Sequence, residues 1–206
     1  MLTIELNKNL RKRILQGHPW VYREALAKVP ASKQDGKSAQ LVKVLDSKKE
    51  FLGWAIFNPN GPLSLRMLST EKSPPNLEFF QKRFQRAKKL RKSIPSLTDC
   101  YRLFNGEGDG LPGLICDCYA GVAVVQFDGP GSAEFWNHPW LAEWLLAQPE
   151  ILTVVEKKRR PTKEKILHLL GGKDLANQSV VQVQENGVKF LVDLDLGQKT
   201  GFFLDQ

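Results

Sequence analysis

Cysteine and histidine are both scarce in this chain. There are three of each: Cys100, Cys116 and Cys118, and the widely separated His18, His138 and His168. No C-x-x-C pair occurs, so neither a disulfide framework nor a zinc site has the ligands or the spacing it needs. The thiols are expected to be buried and free, in a reducing compartment. No stretch approaches the roughly 18 apolar residues that span a bilayer. The N-terminal MLTIELNKNLRKRIL mixes acids with bases and has no apolar signal-peptide region, so a cytoplasmic location is expected. Also missing are a G-x-G-x-x-G turn after a strand, an acid about 20 residues beyond one, and any nucleophile-triad signature. No catalytic residue and no metal ligand set is therefore assigned.

What is present is charge, unevenly placed. Hydrophobic residues make up 42% and charged residues 25% of the chain, the balance of a folded globular protein and not of a disordered one. Residues 1–98 hold 20 Lys/Arg against 7 Asp/Glu, whereas residues 99–206 hold 10 against 15. A basic half joined to a mildly acidic one suggests that one end meets a polyanion.

Short alternating segments dominate residues 1–70: LTIEL (2–6), AQLVKVLD (39–46), EFLGWAIFN (50–58) and LSLRMLS (63–69). Strands at such close spacing predict a small barrel. The pattern changes at Ser73-Pro74-Pro75-Asn76, a helix start signal. Leu77, Phe80, Phe84, Ala87 and Leu90 then form an apolar stripe, opposite Lys82, Arg83, Arg86, Lys89 and Lys92. That basic face is a candidate for nucleic-acid contact, although a solvated face is the commoner use of such charges. Beyond Asp99 strands outnumber helices. PWLAEWLLAQ (139–148) reads as a helix, EILTVVEKK (150–158) as a strand and TKEKILHLLGG (162–172) as a short helix. SVVQVQ and GVKFLVDL read as a hairpin across Asn186-Gly187.

Two stretches invite chemistry. GEGDGLPG (106–113) resembles a phosphate loop, but Glu107 and Asp109 carry the wrong sign. As a calcium loop it would need a bidentate Glu where Cys116 stands, and helices where strands are expected. A tight turn with glycines at positive φ is preferred; metal-dependent chemistry at Glu107 and Asp109 stays as an alternative. Gly17-His18-Pro19-Trp20-Val21-Tyr22 sets aromatics and a histidine near Arg11, Lys12 and Arg13, a pattern suited to stacking on bases and holding phosphates. Trp20 is expected in the barrel core. Cys116 and Cys118 share one face of a strand and are read as packing residues.

Three of these stretches together resemble a known family. HPWVYREALAKV followed by FLGWAIFNPNGPLSLRML is similar to the PUA domain, a small RNA-binding barrel. YRLFNGEGDGLPGLICDCYAGVAVVQF and ENGVKFLVDLDLGQKTGFFLDQ resemble the central region of the class I S-adenosylmethionine-dependent methyltransferases that make 5-methylcytosine in large-subunit (23S) ribosomal RNA. The resemblance implies an α+β chain: a PUA-like barrel over 1–72, a mixed α/β central domain over 73–195, and at 196–206 the start of a linker. It implies that the Rossmann-like methyltransferase domain is absent from this chain. The cofactor implied is S-adenosylmethionine, beside Gln198, Lys199, Thr200, Gly201, Phe203, Asp205 and Gln206. The partner implied is ribosomal RNA, contacted by Arg11, Lys12, Arg13, His18 and Arg66. None of the three cysteines matches the family's catalytic position, so RNA binding without methyl transfer is expected; a stand-alone RNA-binding module is the alternative.

Overall fold

The computed structural model describes residues 1–28, 39–136, 139–158, 167–175, 178–197, 200–202 and 204. In chain order the elements are β1 (Thr3–Glu5), α1 (Arg11–Leu15), β2 (Trp20–Tyr22), β3 (Gln40–Leu45), β4 (Phe51–Phe57), β5 (Leu63–Ser69), α2 (Leu77–Leu90), β6 (Cys100–Asn105), β7 (Leu114–Tyr119), β8 (Val122–Phe127), α3 (Pro130–Trp136), α4 (Pro139–Leu146), β9 (Thr153–Lys157), β10 (Leu167–Gly172), β11 (Val180–Glu185) and β12 (Val188–Asp193). They form two compact units. The first gathers Met1–Arg83, Gly106–Gly113 and Asp128–Trp136; the second gathers Phe84–Asn105, Leu114–Phe127 and Asn137–Gln206. The boundary falls inside α2, and the first unit takes in two segments from beyond residue 100.

In the first unit the strand order is β1-β3-β4-β5-β2, with β1 parallel to β3 and the other pairs antiparallel. The sheet closes on itself after β1. Leu6 bridges Leu26, the Asn7 amide donates to the Ala25 carbonyl at 2.9 Å, and the Ala27 amide donates to Glu5 at 2.8 Å. Alternation fills the interior: Val42 and Val44 of β3 and Val21 of β2 point inward with Ile4, Leu6, Leu52, Phe57 and Leu65. Trp20 departs from the core placement expected of it. Val21 takes the inward position of that strand, which turns Trp20 and Tyr22 outward to be exposed.

In the second unit the order is β10-β9-β8-β7-β6, parallel only between β8 and β9. The β11–β12 hairpin contributes Val183 and Val192 to a cluster with Cys100, Tyr119, Val124 and Val155. Its turn is the Asn-Gly pair the sequence points to, with both residues at positive φ. Helix α2 begins where the Asn76 side chain accepts the Phe79 amide at 2.9 Å, an N-cap one residue after Pro75. Of its apolar stripe Phe80, Phe84 and Ala87 are buried, while Leu77 and Leu90 are exposed. Phe84 stacks on Phe104 at 4.9 Å and tilts against Trp144 at 4.9 Å.

The helix expected over 162–172 is corrected. Residues 162–166 lie outside the described residues, and Leu167–Gly172 is a strand paired antiparallel with β9. Its apolar residues fit either a helical turn or an edge strand, and backbone hydrogen bonding to β9 decides between them. All three cysteines are buried and free, as the sequence predicts.

Replacing the fully buried Phe84 with alanine leaves an aromatic-sized void and should destabilise the chain by about 3–4 kcal/mol. A urea titration of both proteins checks this; a loss under about 1 kcal/mol would show that the aromatic cluster collapses to fill the gap.

Candidate nucleic-acid interface

Helix α1 is held to the barrel by buried Ile14 and ends in a glycine-terminated turn. Gly17 adopts φ +96°; its amide donates to Ile14 O at 2.9 Å and the His18 amide donates to Arg13 O at 3.0 Å. These are the paired 5→2 and 6→1 bonds that stop a helix with glycine in the left-handed region. The turn brings His18 back beside Arg13, and Lys12, Arg13 and His18 are all exposed.

Arg11 and Arg66 lie in a different setting. The Arg11 Nε donates to Asp46 Oδ2 and its Nη2 donates to Phe51 O at 2.9 Å, with Glu50 at 3.2 Å. Burial pushes the Asp46 carboxyl up. The hydrogen bonds from Arg11 and from the Glu50 and Lys48 amides outweigh that, and hold it below its ordinary 3.8. Arg66, on β5, donates through Nη1 to Glu107 and through Nη2 to Asp128, and its side chain is only 11% exposed. Glu107 also accepts the Trp20 indole N–H at 2.8 Å. Both guanidinium groups are thus tied to carboxylates within the first unit.

The glycine-rich loop is a turn, as preferred from sequence. Gly106, Gly110 and Gly113 all have positive φ. A Cβ on Gly113 would lie 2.1 Å from the Ser132 hydroxyl oxygen, and one on Gly110 would meet the Arg83 guanidinium. Glu107 is directed at Arg66 and Trp20. No group of three or more potential metal ligands occurs among the described residues.

Of the seven residues assigned to the cofactor, Gln198, Lys199, Phe203, Asp205 and Gln206 lie outside the described residues. Thr200 and Gly201 face inward. Thr200 Oγ1 donates to Asp117 Oδ2, so the Tyr119 hydroxyl, 2.7 Å away, supplies its proton to Thr200. Burial pushes the Tyr119 phenol up to about 12. Asp117 is fully buried and accepts both Nε (2.8 Å) and Nη2 (3.1 Å) of Arg102. A Cβ on Gly201 would press on Val192 and Leu194. Through the Thr200 hydroxyl this segment is latched onto the sheet. Thr200 and Gly201 are thus taken up in this latch, and the other five assigned residues lie outside the described ones. The latch left no local signal in sequence, since Thr200 lies 83 positions from Asp117.

Residues 4–70, which build the barrel of the first unit, match the family model of a PUA-like domain. The particular relatives are similar over almost the whole chain. The ribosomal RNA large subunit methyltransferase I of Vibrio cholerae is 35% identical over 98% of this chain and 51% of its own length. The ribosomal RNA large subunit methyltransferase of Deinococcus radiodurans is 35% identical over 100% and 52%. A solved structure from Streptococcus mutans, described as a SAM-dependent methyltransferase, covers 100% of this chain and 52% of its own at 25% identity, with a TM-score of 0.78. The structure of SMU.776, described as a putative methyltransferase complexed with SAH, covers 100% and 51% at 25% identity, TM-score 0.79. The chain spans about half the length of the curated relatives it matches.

This corrects the expected α+β fold class in one respect: the methyltransferase fold is not something this chain lies outside. Its whole length superposes on methyltransferase chains. The expected absence of the Rossmann-like methyltransferase domain was what the family resemblance implied, and the likeness over the full chain overturns it.

The separation of the cations by environment can be measured. Arg66→Ala leaves two carboxylates facing the barrel without their partner and is expected to cost about 2 kcal/mol; Lys12→Ala should leave stability within about 0.5 kcal/mol of the parent. Equal effects in thermal unfolding would overturn this sorting. For Asp46 the folded pKa is depressed, so its contribution is complete above the unfolded value of 3.8 and disappears as pH falls through the folded one. Arg11→Met should consequently lower stability at pH 7 and flatten its decline below pH 4, read from urea midpoints across that range.

Proposed function

We propose that this chain supplies RNA recognition to a S-adenosylmethionine-dependent methyltransferase of large-subunit ribosomal RNA, and that the contact runs over the exposed face of the barrel at Lys12, Arg13 and His18. The single observation that carries this is the turn after α1. It holds three cationic or titratable side chains together and exposed, next to the outward aromatics Trp20 and Tyr22, while Arg11 and Arg66 are engaged by carboxylates. Cations place phosphates and exposed aromatic rings stack on unpaired bases. Arg11 and Arg66, grouped with these from sequence, are assigned a supporting role, holding α1 and β5 in place.

The likeness over the full chain to ribosomal RNA methyltransferases supports this reading over a free-standing binding module, for which likeness confined to residues 4–70 would suffice. Cytosine C5 as the methylated atom is supported by the resemblance of the Gly106–Gly113 and Gly197–Gln206 motifs to that family. The thiolate such chemistry needs is not provided by these cysteines. Burial pushes the Cys100 thiol up, and the contact from Cys118 followed by burial pushes Cys116 well up. All three are buried, Cys118 included. The part in the reaction proposed for this chain is to bind and orient RNA.

A fragment of large-subunit ribosomal RNA is the probe. The chain should bind it with a steep salt dependence, and Lys12→Ala/Arg13→Ala should reduce the slope of log K against log salt by about 1.5 to 2. An unchanged affinity and slope in the double variant would remove the barrel face from the interface.

A further inference from the structure

The second unit carries a groove that the barrel does not explain. The second half of α2 and the turn after it place Gln85, Lys88, Lys89 and Lys92 along a cavity of about 310 Å³, which Tyr101 of β6 also lines. A second cavity of about 530 Å³ shares Arg91 and Tyr101 with the first and continues past Ile94, Leu97, Asn105 and Phe202. Both volumes lie in the roughly 300–1,000 Å³ range of ligand sites.

The charge along this groove is ordered. Glu150, the acid on its wall, is paired with Lys88 at 2.8 Å; burial raises its carboxyl but the Lys88 hydrogen bond outweighs that and holds it ionised. Lys88 also donates to Gln148 at 2.8 Å, so this lysine is held in place. Arg91 donates to the carbonyls of Ala87 and Arg102, which covers a carbonyl at the negative end of the helix. Lys89 and Lys92 are exposed, and no ion pair engages them among the described residues. Beyond them the lining is mixed: Ile94, Leu97 and Phe202 lie among Ser93, Thr98, Arg102 and Asn105, with Leu97 63% exposed. Two neighbouring exposed cations at one end, and at the other a recess of apolar and aromatic surface edged by hydrogen-bonding side chains, match a chain of phosphates bearing a base that has left its stack.

We propose that this groove binds a single-stranded segment of RNA, with phosphates over Lys89 and Lys92 and one unpaired base in the recess beside Leu97 and Asn105. The inference rests on the reading that the chain acts on RNA, and it adds a second contact surface that reads strandedness.

The test compares a single-stranded RNA oligonucleotide with the duplex of the same sequence, against the whole chain, Lys89→Ala/Lys92→Ala, Leu97→Ala and Lys12→Ala/Arg13→Ala. All five substituted side chains are on the surface, and unchanged melting temperatures establish that each variant folds. The Lys89/Lys92 variant should bind the single strand about tenfold more weakly, with a salt slope smaller by about 1.4, two phosphates at roughly 0.7 each. Leu97→Ala should weaken single-strand binding and leave the slope as it was. If the barrel variant loses affinity while the Lys89/Lys92 variant matches the parent, the groove is not an RNA path and the barrel reading stands. If the parent binds neither RNA, both fall. A larger loss on the duplex than on the single strand overturns the assignment to an unpaired segment.

Discussion

The guanidinium of Arg66 is the interaction on which the first unit depends. That unit is assembled from three separate stretches of chain, and Arg66 reaches from β5 to one carboxylate in each of the two later stretches, Glu107 and Asp128. Arg83 repeats the device, donating to Leu68 O at 2.8 Å and to the Gly110 carbonyl while it lies over the Phe79 ring at 4.2 Å. The Trp136 indole adds a third tie, to Pro112 O at 2.8 Å. An arginine suits this work because its planar fork can satisfy two acceptors at once, whereas a lysine is a single point of charge. The glycines of the 106–113 loop are the other half of the same constraint, for the backbone must pass so close to Arg83 and Ser132 that no side chain fits.

The second unit solves the same problem of a distant segment with a buried network. Asp117 has no exposure, and an unpaired charge there would be expensive. Arg102 on the neighbouring strand and the hydroxyl of Thr200 together satisfy it. Tyr119 extends the chain of donors to Thr200, and its hydroxyl accepts the Phe202 amide at 3.4 Å. Because each member needs the others for satisfaction, the network fixes where residues 200–202 lie on the sheet. Lys157, buried in β9, donates to Gly197 O at 3.0 Å and anchors the approach to that segment. A stretch whose sequence resembles a cofactor wall is thus, in its described part, a fastening.

The features that were legible in sequence are those whose cause is local. The Asn186-Gly187 turn, the capping Asn76 and the stripe Phe80-Phe84-Ala87 depend on neighbours within a few positions, and each can be identified from residue type and period. Strand β10 was misread because its pairing with β9, not its own periodicity, decides its form. Trp20 was misplaced for a related reason: Val21 fills the barrel, and Glu107, 87 positions on, gives the indole N–H a partner at the surface. The division of the chain into units is the least local property and the least legible. No composition shift marks the return of residues 106–113 and 128–136 to the barrel. Only the signs of their charges, Glu107 and Asp128 against Arg66, record it.

The charge asymmetry that first suggested a polyanion changes meaning once each cation has a place. A large positive count on residues 1–98 is not one basic surface. Arg11, Arg66 and Arg83 act inward, joining segments through carboxylates and carbonyls, and Lys82 pairs with Glu78 on its own helix at 2.7 Å. Lys12 and Arg13 are among the exposed cations of the first unit, with Lys8, Lys48, Lys49 and Lys72, and Lys89 and Lys92 are among those of the second, with Arg86. Arginine predominates where a planar group must bridge fixed acceptors; lysine predominates where the charge stays in water. Solvated lysines keep their hydration until a phosphate replaces it, so they are the residues whose counterions an RNA would release. The proposed RNA contacts rest on this distinction between bridging and solvated cations and not on the net charge.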